Sequence, residues 1–153
     1  MREYKFRGKP TENNTSYFED EDFVYGSLII SEDKYYILLD VLDNIKRDDY
    51  AVYMVEVRPE TLGQYTGLKD KNEKEIYEGD ILELNKDGRI FYGTPDGLLA
   101  KKYQLVGFKD GAFMTCRNKH LIDDYDTYLW IISKYSTVAG NIYDNSELLE
   151  EGE

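Results

Sequence analysis

Apolar positions along this chain come in short runs separated by charged or glycine-bearing breaks, and where a run is long enough to show a period, the period is two. Tyr50 to Val57 is the clearest case, with Val52 and Met54 alternating against Tyr53 and Val55, as in a strand with one face buried. Glu3 to Phe6 predicts a short first strand. Phe23 to Ile30 and Tyr35 to Leu39 flank Ser31-Glu32-Asp33-Lys34, which predicts a hairpin. Ile81 to Leu84, Arg89 to Tyr92, Lys102 to Phe108, Ala112 to Thr115, Tyr128 to Ile132 and Thr137 to Ile142 read as further strands. The breaks Asp87-Gly88, Pro95-Asp96-Gly97 and Lys109-Asp110-Gly111 carry turn chemistry. Helical signals are few. Arg58-Pro59-Glu60-Thr61-Leu62-Gly63 has proline at the entry and glycine at the exit of a single turn. Asp40 to Asp49 is a loop or one helical turn, and Asn145-Ser146 would cap a short helix at Glu147 to Leu149. Leu68 to Glu75 is charged around Asp70-Lys71-Asn72 and predicts an exposed loop.

Short strands at close spacing favour a mainly β protein with minor α, folded as a small barrel or sandwich. The turn Tyr77-Glu78-Gly79-Asp80 leading into a strand has the shape of turns in SH3-like barrels, an analogy that does not fix function. The expected organisation is one unit over 1–153. It comprises a hairpin-rich N-terminal subdomain at 1–68, an SH3-like barrel at 75–145 and an acidic tail at 146–153, with Lys69 to Glu75 as the boundary.

Composition sharpens this picture in two places. Fifteen tyrosines among 153 residues supply amphipathic packing area suited to half-buried strands. The net charge of −12 is concentrated at the ends: residues 1–49 hold 12 acids against 7 bases, and residues 119–153 hold 8 against 2. That distribution disfavours nucleic-acid binding, which wants a basic stripe; it would require Arg89, Lys101, Lys102, Lys109 and Arg117 to share one face. No run approaches the roughly 20 apolar residues of a membrane span, and the start MREYKFRGK has no apolar stretch behind it to act as a signal peptide. A single cysteine, Cys116, excludes an internal disulfide and fits a reducing cytoplasm.

Candidate chemistry is sparse. His120 is the only histidine, so no His-rich metal site or Cys/His cluster can be assembled. A Cys116–His120 nucleophile pair weighs little against a buried thiol and a surface imidazole. Asp123-Asp124-x-Asp126 and Glu19 to Asp22 offer oxygen ligands, but Asp123 to Asp126 lacks the glycine turn and distant glutamate of a calcium loop, and Glu19 to Asp22 earns the same caution. Gly63 to Lys69 is one residue short of a phosphate loop and has no hydroxyl after the lysine. The residues thus imply neither cofactor nor metal, and no enzyme.

Two phrases remain, GQYTGLKDKN (Gly63 to Asn72) and IYEGDIL (Ile76 to Leu82). Together with REYKFRGK (Arg2 to Lys9), FVYGSLII (Phe23 to Ile30) and GNIYDNSELL (Gly140 to Leu149), they resemble the YopX family over nearly the whole chain and in order. The resemblance implies a phage or prophage protein, an SH3-like barrel in the second half, and no established activity. One departure is Glu73, which follows Asp-Lys-Asn where the family pattern has glycine, so it must tolerate that glycine's backbone angle. The phrases carry Tyr65, Lys69, Asp70, Lys71, Asn72, Tyr77, Glu78 and Asp80 as the candidate partner-binding set, polar and aromatic groups on loops. The same residues admit a structural reading: glycines and aspartates form turns and tyrosines pack.

The favoured function is a non-catalytic protein-binding module in the host cytoplasm, its partner a host or phage protein, with self-association as a further possibility. An acidic nucleic-acid mimic that inhibits a host DNA-binding protein, and a metal-assisted hydrolase built on the acidic clusters, are the alternatives.

Overall fold

The computed structural model describes residues 1–14, 22–39, 54–91, 101–116 and 125–150. It is mainly β, with two antiparallel sheets. The chain divides into two compact units, Met1–Tyr65 and Thr66–Glu153, and the division falls inside a strand.

In the first unit the strands are β1 (Phe6–Gly8), β2 (Val24–Ser31), β3 (Lys34–Leu39), β4 (Met54–Val57) and the opening residues of β5 (Gly63–Lys69), side by side in the order β4-β3-β2-β1-β5. The period-two pattern places Val24, Ile37, Val55 and Val57 on one face, where they are buried with Phe6, Leu28, Tyr35, Leu39 and Leu62 packed around them. The predicted hairpin forms, with Ser31 opposite Lys34. Glu32 and Asp33 between them have φ of 49° and 63°, the left-handed pair whose twist matches that of the flanking strands. Of the strand expected at 50–57, residues 54–57 are the described part.

The first strand, Phe6–Gly8, begins three residues later than its pattern suggested, and its far end is set by a tertiary contact. A Cβ on Gly8 would stand 2.9 Å from the Val57 Cβ, so only glycine lets the two backbones come this close. Past Gly8 the chain pairs with the outer edge of β4. Pro10 bridges Val57, Thr11 N–H donates to the Glu56 carbonyl (2.9 Å), and Arg58 N–H donates to the Lys9 carbonyl (2.9 Å). The meander therefore curls until its two ends meet. The turn predicted at Pro59 is a 3-10 turn over Pro59–Thr61. Thr61 is buried, and its hydroxyl accepts from Lys9 N–H (2.8 Å) while donating to the Arg58 carbonyl (2.7 Å).

The second unit holds the rest of β5, then β6 (Glu75–Tyr77), β7 (Asp80–Leu84), α1 (Lys86–Phe91), β8 (Tyr103–Lys109), β9 (Ala112–Cys116), β10 (Tyr125–Tyr128), α2 (Leu129–Ile132) and β11 (Ser136–Asn141). Its sheet runs β10-β9-β8-β7-β11. The interior strand β7 carries apolar residues on both of its faces because both are covered. Leu82 and Leu84 join Ile76, Val106, Leu129 and Ile132 on one side, whereas Ile81 joins Leu105 and Leu149 on the other. Within this interior the buried Thr115 hydroxyl donates to Gln104 Oε1 at 2.7 Å, so neither polar group is left unmet. The Asp110-Gly111 turn joins β8 to β9 with φ of 51° and 80°, as Asp-Gly hairpins require.

Several expectations change here. Among the described residues the pairings leave β10 and β11 as separate ends of the sheet, so the second half is an open sheet and not a closed SH3-like barrel. The strand expected at Arg89 to Tyr92 is helical over its described residues 89–91, the end of α1. Asn85 Oδ1 accepts from Gly88 N–H (2.8 Å), and the Asn85 carbonyl accepts from Arg89 N–H (3.0 Å), which makes Asp87-Gly88 part of a capped helix instead of a hairpin turn. The strand expected at Tyr128 to Ile132 is helical from Leu129, because Leu129 and Ile132, three apart, are both buried on one side. The segment expected as a tail begins with a 3-10 turn, Ser146–Leu149, whose Leu149 is buried. Asn145 makes no side-chain cap there, and its Oδ1 accepts from Asn141 N–H at 3.2 Å.

Candidate functional site

The signature phrases fold into two turns of the second unit that differ in what they show to solvent. The first follows β5. Gly67 has φ of +80° with open space where a Cβ would stand, so its backbone angle alone calls for glycine. Beside it the Thr66 hydroxyl donates to the Ile76 carbonyl (2.8 Å) and accepts from Leu68 N–H (3.2 Å).

Asp70 then closes the turn. The residue is 4 % exposed. Oδ1 accepts from Asn72 N–H (2.8 Å) and Lys74 N–H (3.0 Å), and Oδ2 accepts from Val138 N–H (2.9 Å) on β11. Backbone bonds from Asp70 N–H to the Lys74 carbonyl (2.8 Å) and from Glu73 N–H to the Asp70 carbonyl (3.0 Å) complete the loop, and Lys71 N–H donates to the Ser136 carbonyl (3.0 Å). One carboxylate with three amide donors thus ties a turn to a strand 68 residues away. The arrangement also covers part of the outer edge of β11, a row of backbone groups that would otherwise invite pairing.

Above this anchor Lys69, Lys71, Asn72, Glu73 and Lys74 are exposed. Lys69 and Glu73 approach at 3.9 Å, a surface pair worth little. Glu73 has φ of 65°, so the angle expected of a family glycine is kept and a side chain is carried through it.

The second turn, Tyr77-Glu78-Gly79-Asp80, is turned inward. Asp80 is buried and its Oδ2 accepts from Tyr77 N–H at 2.8 Å. Tyr77 is buried, and its hydroxyl donates to Glu75 Oε2 at 2.7 Å. Gly79, with φ of +82°, donates its N–H to the Val106 carbonyl (2.9 Å) and accepts from Ile142 N–H (2.8 Å). Glu78 is half-buried.

Of the eight candidate partner-binding residues, then, Tyr65 is buried in the first unit, and Asp70, Tyr77 and Asp80 are buried in the second. Lys69, Lys71 and Asn72 are exposed together on the first turn. Lys74 stands with them and was not singled out from the sequence. Its place at the end of an Asx-type turn was the available signal.

The other candidate chemistry falls largely outside the described residues. Cys116 is buried, while His120, Asp123, Asp124, Arg117 and Glu19 to Glu21 lie outside the described residues. Among the described residues no three His, Cys, Asp or Glu side chains form a group able to hold a metal. No described helix is long and apolar enough to cross a membrane. Lys102, one of the cations a nucleic-acid surface would need, pairs with Glu83 at 2.9 Å. Its hydrogen bond to Glu83, then that to Tyr103, raises its pKa above the usual lysine value.

The fold and site define a two-unit β protein displaying a scaffolded turn. The model of the YopX protein family matches residues 5–150, and the chain belongs to that family. No curated protein matches. Among solved structures it is similar to protein EF1440 from Enterococcus faecalis, at 20 % identity and a TM-score of 0.49, over 97 % of this chain and 99 % of that one.

Proposed function

We propose that the protein is a non-catalytic protein-binding module that meets its partner through the exposed crown of the first signature turn, Lys69, Lys71, Asn72, Glu73 and Lys74. The observation that carries this reading is the anchoring of the turn. Its backbone is fixed by the buried Asp70 carboxylate while its side chains make almost no use of that fixity within the fold. Holding a loop in one conformation lowers the entropy lost when a partner binds it. A left-handed, non-glycine residue at its apex costs about 1 kcal/mol or more, and strain of this kind gathers at functional turns. The partner is a host or phage protein met in the host cytoplasm.

The test is capture from phage-infected host cells by the tagged protein, with nuclease present, compared with the double substitution Lys71→Ala and Asn72→Ala. A partner held by the parent protein and lost by an equally stable variant supports the reading. Equal capture by both moves the interface away from this turn. Turnover of a substrate by the purified protein, abolished by one point change, removes the module reading altogether.

A further inference from the structure

No further inference is drawn: the strongest candidate, the outer edge of β10 with the exposed Tyr128 and Trp130 at its end, carries nothing because nothing in the structure shows what covers it, and a four-residue strand with a register irregularity is already poorly suited to pairing.

Discussion

The two units handle the edges of their sheets in opposite ways. In the first, the backbone itself suffices: the run after β1 reaches the free edge of β4, and Pro10 meets Val57 around a single core. In the second, the sheet stays open, both faces are covered, and part of the edge at β11 is met by a side chain, the Asp70 carboxylate, on a turn brought from elsewhere in the sequence. A curled meander needs little special chemistry, only a glycine where strands touch. An open sheet needs a dedicated cap, and a cap held from below leaves its upper surface available. The signature phrase is therefore two things at once, with its aspartate serving the fold and its lysines and asparagine free of it.

Emptying the two cores gives the largest expected effect. Ile37→Ala in the first unit and Leu82→Ala in the second each remove a fully buried side chain and should cost about 2–5 kcal/mol. Amide exchange should rise across β2, β3 and β4 in one variant and across β7, β8 and β9 in the other. An identical exchange pattern in both would mean that the units unfold as one.

Next comes the cap. Asp70→Ala strips three amides of their acceptor and should destabilise by about 3 kcal/mol, with faster exchange at Val138. Asp70→Asn retains one carbonyl oxygen but turns an N–H₂ towards one group of donors, so it should fall between parent and alanine. If Asp70→Ala melts with the parent, the edge is sealed by something else.

Glu73→Gly is expected to be neutral or to stabilise by up to about 1 kcal/mol, because relief of the left-handed angle is set against the greater freedom of an unfolded glycine. A clear loss of stability would show that the Glu73 side chain supports the turn.

Smaller still is the crown. Lys71→Ala and Asn72→Ala should each change stability by less than about 0.5 kcal/mol while weakening partner capture.

The least effect is expected at Lys102. Because its pKa is raised in the folded protein by Glu83 and then Tyr103, its contribution is fully present below the ordinary lysine value and is lost as pH rises through the raised one. Glu83→Gln should therefore lower melting only slightly at neutral pH, where the pair is formed but both side chains are well exposed, and that small difference should vanish in alkali.

What the sequence determined by itself is the part of this protein governed by neighbours along the chain. Alternating valines and isoleucines, the Glu32-Asp33 and Asp110-Gly111 turns and the proline-led turn at Pro59 all follow from local backbone chemistry, and each forms where its residues call for it. The tertiary structure decided everything that depends on distant partners. Leu129 to Ile132 has an apolar run equally suited to a strand or a helix, and it became a helix because packing on Ile76, Leu82 and Val106 takes residues three apart. Asp70 and Lys71 are adjacent polar residues in the sequence, yet one is buried and the other exposed. The difference arises because an amide at Val138, contributed by a strand far along the chain, stands beside one of them and not the other.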